Sequence, residues 1–355
     1  IVMDNQRSQE IAWLGFSLHI FRMTTFFLLA GYFGHMVFHR NGALTFIKSR
    51  LKRIALPLLI FWFPMIVSLG MIAGWGISKQ YGIPFESLPP PPPLTVEAFP
   101  LTHLWFLYLL LVFYAAMLIL RLPVAVIDRG QKIRGAVSNA LTRQLGSPLL
   151  PLLLAIPVAL SLLIQPEWVE WFGVPTPDFG FMPQSPALVT YGIGFWLGWV
   201  LHRQDHCFLR LTKIWLPYLG LATACTIGAL YLLEWQPRTA PFLEGNEKIL
   251  FAALYALSVW LWTFGLIGLA MWFFTRRGPV ARYIADSSYW LYLIHLPIVM
   301  AMQVWVLDWS WPALAKYGFI LGTSVPVMLL SYQVLVRHTF VGSLLNSPRK
   351  KKVSS

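Results

Sequence analysis

Long apolar stretches recur along almost the whole chain, and they restrict its fold more than any other feature. A helix needs about 20 predominantly apolar residues to cross a bilayer, and most of these stretches reach that length. The predicted spans cover residues 13–38, 54–77, 102–120, 148–164, 185–201, 214–234, 249–275, 285–306 and 313–336. We therefore expect an all-α fold, a polytopic transmembrane helical bundle in which nine spans are seen.

The composition agrees with a membrane protein that forms one domain over residues 1–355. Hydrophobic residues make up 57% of the chain and charged residues only 12%, whereas a soluble protein carries about a quarter charged residues. The formal net charge of +13 does not indicate a nucleic-acid partner. The basic residues lie almost entirely in short connections between apolar spans, as topology signals do.

The distribution of Lys and Arg predicts the orientation of the bundle. Most of the 27 Lys and Arg residues follow the odd-numbered spans, within residues 40–53, 121–143, 203–213, 276–282 and 337–352. The positive-inside rule makes this side cytoplasmic. Residues 337–355 are accordingly expected to form a basic cytoplasmic tail, and the N-terminus is expected to lie outside.

An N-terminus outside the membrane is difficult to insert when no cleavable signal peptide precedes it, and none is visible here. One further helix upstream of Ile1, running from inside to outside, would resolve this difficulty. The sequence thus predicts nine helices of a ten-helix protein, with an N-terminally incomplete membrane domain.

Two polar residues, His19 and Arg22, lie within the first predicted span and are three residues apart, so they share one side of a helix. A charge inside a bilayer costs roughly 2.5 to 3.5 kcal/mol, and such a residue usually faces the bundle interior or a watery cavity. Alternatively, Arg22 extends its long side chain toward the outer surface, about 12 Å away at 1.5 Å per residue. Both interpretations stay open from the sequence.

Two further histidines lie at or within predicted spans. His103 begins the third span beside Trp105, where an interfacial role is the simpler interpretation. His295 lies near the middle of the eighth span, close to Pro297, whose kink frees backbone carbonyls that a neutral imidazole could satisfy. A histidine is also the natural general base near neutral pH, so catalysis and structural repair are equal alternatives for His295. Residues 286–288 are expected to cap the start of this helix.

Basic and aromatic clusters in the connections offer weaker signals. Arg50, Lys52 and Arg53, in FIKSRLKR, follow the first span and could bind the phosphates of a cytosolic donor, or could be topology charges only. The outer connection 165–184 combines Trp residues with carboxylates, as a sugar site or an ordinary aromatic belt would. No zinc-ligand spacing, P-loop or Gly-x-Ser-x-Gly motif occurs, so neither a bound metal nor a bound cofactor is expected.

Four segments occur in a characteristic order: HIFRMTTFFLLAGYF, FIKSRLKRIALP, THLWFLYLLLVFY and SSYWLYLIHLPIV. Together they resemble the membrane-bound acyltransferase 3 family, and most closely its glucan-modifying branch, the periplasmic glucan succinyltransferases of the glucans biosynthesis protein C type. The resemblance implies a bacterial inner-membrane enzyme surrounded by membrane lipid. Its donor is cytosolic acyl-CoA, with succinyl-CoA as the candidate, and its acceptor is a hydroxyl of an extracytoplasmic glycan.

The resemblance also implies roles for individual residues. Arg22, His19, His103 and His295 are expected to be catalytic, and Trp105 and Tyr292 to bind substrate, while Arg50, Lys52 and Arg53 are the candidate donor-binding residues. The family further carries an Arg and a catalytic His in a helix for which this sequence has no match. Either the sequence is an N-terminal fragment, which is expected to be inactive as given, or the protein works without that His. The alternative function is a transporter or exporter of a glycan or lipid that makes no bond.

Overall fold

The computed structural model describes residues 8–90, 93–204, 207–274 and 278–345. Within these residues the chain is helical and contains no β-strand, only an isolated antiparallel bridge between Pro100 and Phe179. The α-helices are α1 (Gln9–Asn41), α2 (Ala43–Arg50), α3 (Leu56–Tyr81), α4 (Trp105–Ile127), α5 (Lys132–Gln144), α6 (Leu149–Leu163), α7 (Ser185–Leu201), α8 (Trp215–Leu232), α9 (Gly245–Phe273), α10 (Pro279–Trp305), α11 (Ala313–Ser331) and α12 (Phe340–Leu345). The predicted all-α bundle is confirmed.

A helix lies at each predicted span, but the number of spans stays a prediction. Six continuous helical segments in the described residues are long and apolar enough to cross a membrane, and α5 with α6 makes a seventh if that pair, bent by 107°, is one span. Helix α7 is apolar but shorter, at 17 residues. Helix α10 has 27 residues and is not among the six, since its polar residues lower its hydropathy. The chain is therefore a multi-pass membrane protein.

Two π-helical turns and part of the predicted basic tail are among the remaining described segments. Short π-helical turns join α2 to α3 at Leu51–Ala55 and extend α11 at Tyr332–Val336. Of the predicted basic tail, residues 337–345 are described and include α12, while residues 346–355 lie outside the described residues. Arg276 and Arg277, which contributed to the orientation, also lie outside them.

Glycine residues allow helix α1, which carries Arg22, to pack closely against α7. A Cβ at Gly31 would overlap the carbonyl oxygen of Phe195, and a Cβ at Gly198 would overlap the carbonyl oxygen of Leu28. Small residues at such positions let two membrane helices approach closely. Helix α9 packs against α1, α6 and α8, and α3 and α11 pack against α10. Residues of α1, α4 and α10 line the cavity described below.

The outer connection 165–184 is fastened by its own polar residues. The buried Glu170 carboxylate accepts hydrogen bonds from the backbone N–H groups of Phe242 (3.1 Å) and Leu243 (3.3 Å). The buried Trp168 donates its indole N–H to the Gly173 carbonyl at 2.7 Å. Both side chains are therefore structural, and neither presents a free surface for a sugar.

Candidate active site

A cavity of about 550 Å³ lies between α1, α4 and α10. Five residues that the sequence singled out line it together: Arg22, His103, Trp105, Tyr292 and His295. They come from α1, from α10, and from α4 with the short 3₁₀ turn Thr102–Leu104 before it, which are distant in sequence. Thr176 of the outer connection also lines the cavity. Tertiary packing thus assembles one site from these scattered polar residues.

Arg22 is exposed within this cavity and forms no hydrogen bond or ion pair with any other residue that the structure describes. A guanidinium group inside an apolar span is costly, and it binds carboxylates, phosphates or oxyanions through charge-assisted hydrogen bonds. The geometry agrees with the cavity interpretation made from the sequence. Arg22 is the natural ligand for an anion that enters from outside the chain.

His103, and not His295, satisfies the backbone carbonyl that Pro297 leaves without a helical donor. Pro297 has no N–H, so the carbonyl of Leu293, four residues earlier in α10, lacks its normal helical donor. The Nε2 atom of His103 lies 3.1 Å from that carbonyl oxygen. The Tyr292 hydroxyl returns a hydrogen bond to the His103 carbonyl at 2.7 Å. His103, which lies just before α4, therefore supplies the hydrogen bond that Pro297 removes from α10.

The hydrogen bonds of the two imidazoles define their neutral tautomers. A carbonyl oxygen only accepts, so we assign the proton of His103 to Nε2 and leave the lone pair on Nδ1, which is buried without a partner. His295 Nδ1 lies 2.7 Å from the Tyr292 carbonyl oxygen, which puts its lone pair on Nε2. The two ring centroids are 5.3 Å apart. Of the two lone-pair atoms, only that of His103 is completely buried, which makes His295 the more accessible base.

The turn before α4 shows local strain beside the cavity. Thr102 adopts a positive φ of 49°, a conformation that costs a non-glycine residue about 1–3 kcal/mol and concentrates at functional sites. Its hydroxyl is buried without a partner, while its N–H donates to the Asp178 carbonyl at 3.0 Å. Burial raises the pKa of the Asp178 carboxyl, and the Thr176 hydroxyl, which donates to it at 2.9 Å, opposes that rise. The outer connection is thus tied to the turn that carries the cavity residue His103.

His19 and the candidate donor-binding residues lie outside the cavity lining. The His19 ring lies against the backbone of Phe172 and Val174, and its Nε2 atom is buried without a hydrogen-bond partner. Its position three residues before Arg22 does not bring it to the same space. His19 therefore remains a predicted catalytic residue without a place in this cavity.

The basic segment 46–53 contacts a cavity residue through the backbone of Arg53. The Arg50 guanidinium stacks on the rings of Phe46 at 4.8 Å and Tyr114 at 4.9 Å. The Tyr289 hydroxyl, which belongs to the cavity, donates to the Arg53 carbonyl at 2.6 Å. Arg50, Lys52 and Arg53 therefore stay a prediction as donor-binding residues.

Ser288 and Tyr289 are polar cavity residues of α10 that were not predicted as site residues. Ser288 was assigned to a helix cap, and that prediction was wrong, because α10 begins at Pro279 after Gly278 and places Ser288 inside the helix. The missed signal was positional: residues 288, 292 and 295 are spaced by three or four and so share one helix face. This face of α10 is the polar wall of the cavity.

Comparison with models of protein families gives a match over nearly the whole chain. The model of the acyltransferase domain family, the acyltransferase 3 family of the sequence resemblance, matches residues 2–333. No curated protein and no solved structure matches the chain.

Proposed function

Since this chain belongs to the acyltransferase 3 family and is a membrane acyltransferase, we propose that it transfers an acyl group from cytosolic acyl-CoA to a hydroxyl of an extracytoplasmic glycan. The proposed membrane is the bacterial inner membrane, with the C-terminus in the cytoplasm. The observation that carries the proposal is the cavity in which an unpaired Arg22 meets the accessible imidazole of His295.

Acyl transfer requires removal of a proton from the acceptor hydroxyl and stabilisation of negative charge on the thioester carbonyl oxygen, and His295 and Arg22 can perform these two steps. The resemblance gives the general-base role to a His upstream of Ile1, whereas the accessible base among the described residues is His295. We assign the step to His295, whose Nε2 lone pair takes the proton of the acceptor hydroxyl as the hydroxyl oxygen attacks the thioester carbonyl carbon. The guanidinium of Arg22 stabilises the negative charge that develops on the carbonyl oxygen. Collapse of this intermediate forms the ester and breaks the C–S bond, and the leaving thiolate takes the proton from the imidazolium. The products are an O-acylated glycan and free coenzyme A.

The proposal extends to the identity of the substrates. The acyl group is succinyl and the acceptor a periplasmic glucan, as in the branch that the sequence resembles. The terminal carboxylate of a succinyl group is a second anion that Arg22 can bind. Trp105 and Tyr292, which line the same cavity, are the proposed contacts for the apolar faces of the acceptor sugar.

Mass spectrometry of periplasmic glycans tests the function in cells that express the full-length gene. Wild-type cells should yield glycans carrying acyl esters, and both Arg22→Ala and His295→Gln should reduce the ester content by at least about a hundredfold, since each removes a group acting in the transition state. Unchanged acylation in Arg22→Ala would overturn its role. Unaltered acyl content with altered glycan export would replace the enzyme by a transporter.

A further inference from the structure

A second cavity, of about 220 Å³, lies near the C-terminal end of α1, among the basic connections. Helices α1, α4, α5 and α7 enclose it, and its apolar wall includes Trp196 and Trp199. Its charged or titratable side chains are His35, His39, Arg121, Arg134 and Arg203. The cavity therefore combines an apolar wall with a cluster of cationic groups from several elements.

Two of the three arginines, Arg121 and Arg203, have no carboxylate partner among the described residues. Arg134 is paired with Asp128 at 2.9 Å. Arg203 donates to the neutral side-chain oxygen of Gln131 at 2.6 Å, and Arg121 lies over the ring of Phe38 at 4.1 Å. Among the described residues, neither Arg121 nor Arg203 forms an ion pair.

The arginines also lie close enough to act on one another. Burial, followed by the charge of Arg134, lowers the pKa of Arg203, and the charge of Asp128 opposes that shift. Unlike most topology charges, these cations point into a shared, partly buried space, where repulsion is weakly screened. A bound anion would relieve that repulsion and accept several charge-assisted hydrogen bonds at once.

The histidines on α1 add hydrogen-bonding capacity to the same space. The rings of His35 and His39 are tilted against each other with centroids 4.2 Å apart, and His35 Nδ1 lies 3.1 Å from Nδ1 of His202. Imidazoles next to several guanidinium groups are a poor environment for a metal cation and a good one for an anion.

We propose that this pocket binds the phosphate groups of an amphiphilic anion, with its apolar part against the tryptophan wall. One source of such phosphates is coenzyme A or its thioester, an identification that rests on the proposed function. The other source is an anionic phospholipid of the surrounding membrane. The pocket is built from four helices, so it differs from the linear basic segment 46–53 that the sequence singled out.

Binding measurements on the purified full-length protein test the proposal without turnover. The protein is placed in nanodiscs of phosphatidylcholine and titrated with coenzyme A by calorimetry. Arg121→Gln and Arg203→Gln should each weaken binding by about tenfold to a hundredfold, as expected for loss of a hydrogen bond to a charged group. Arg282→Gln removes an exposed charge outside the pocket and is the matched control, with binding unchanged.

A second arm separates the two sources. Nanodiscs that contain phosphatidylglycerol are used, and native mass spectrometry counts the lipid retained by each variant. Arg121-dependent retention of phosphatidylglycerol without coenzyme A binding assigns the pocket to a lipid and supports the anion site. If neither probe binds, or if Arg121→Gln and Arg203→Gln behave like Arg282→Gln, the proposal is wrong.

Size-exclusion profiles identify any variant that fails to fold. If Arg121→Gln fails, because it also loses the contact with Phe38, Arg203→Gln decides the outcome. If the anion-pocket proposal is wrong, the binding experiments fail while the wild type still acylates glycans. If the proposed function is wrong, mass spectrometry of the glycans shows it and the binding experiments do not. The two failures are therefore distinguishable.

Discussion

The hydrogen bond from His103 to the Leu293 carbonyl predicts an energetic coupling between His103 and Pro297. In His103→Phe the ring remains but the donor is lost, and the carbonyl freed by the proline has no remaining partner. Leaving a buried polar group unpaired costs about 1–3 kcal/mol. We expect the free energy of unfolding of His103→Phe to fall by that amount.

Pro297→Ala supplies the N–H that the proline lacks, so the Leu293 carbonyl regains a helical donor. In the Pro297→Ala background, His103→Phe should therefore cost less than it does in the wild type. The coupling energy of this double-mutant cycle is expected to be about 1–2 kcal/mol, within the usual range for residues that share one contact. Unfolding in mixed micelles with increasing SDS, followed by tryptophan fluorescence, measures all four variants.

The matched control replaces another proline inside a helix. Pro326 lies within α11 and has no bond to His103, so Pro326→Ala and His103→Phe should be additive within about 0.5 kcal/mol. If the cost of His103→Phe is the same in the Pro297→Ala and Pro326→Ala backgrounds, the hydrogen bond does not serve the kink. Because stability is measured, a separate catalytic effect of His103 does not enter the result.

Three other outcomes follow from the structure. Glu170→Ala leaves two backbone N–H groups without their acceptor, and each unpaired donor should lower the free energy of unfolding by about 1–3 kcal/mol; unfolding curves compared with the exposed Glu86→Ala check this. Gly198→Ala places a methyl group against the backbone of α1 and should abolish the monodisperse size-exclusion peak, which Gly220→Ala, in open space, retains. Hydrogen bonds from Arg134 lower the pKa of the Asp128 carboxyl. The stabilising contribution of the Asp128 carboxylate is therefore present above the ordinary aspartate pKa and is lost as the pH falls through the lowered value. The Tm of the wild type, measured against pH, should converge in acid with the Tm of Asp128→Asn.

Much of the fold was predictable because membrane crossing is a local property. An apolar run of bilayer length becomes a helix wherever it occurs, and α7, predicted at residues 185–201, has those bounds. The cost of burying a charge likewise singled out Arg22 before its surroundings were known. The wrong cap at residues 286–288 had a local cause too, since the start signal lay in Gly278 and Pro279.

The composition of the site depended on how the helices pack. His19 and Arg22 share a helix side in sequence, yet one lies against the outer connection and the other in the cavity. His103, which alone resembled an interfacial residue, meets a carbonyl of α10 that only the tertiary fold brings within reach.

Sequence alone determined the helical class, the apolar spans and the few polar residues worth suspecting, because hydropathy and charge act on each segment separately. The tertiary structure decided which of those polar residues face one another and which imidazole nitrogen keeps its lone pair. Those outcomes follow from the rotation and spacing of packed helices, which depend on contacts between residues far apart in the chain.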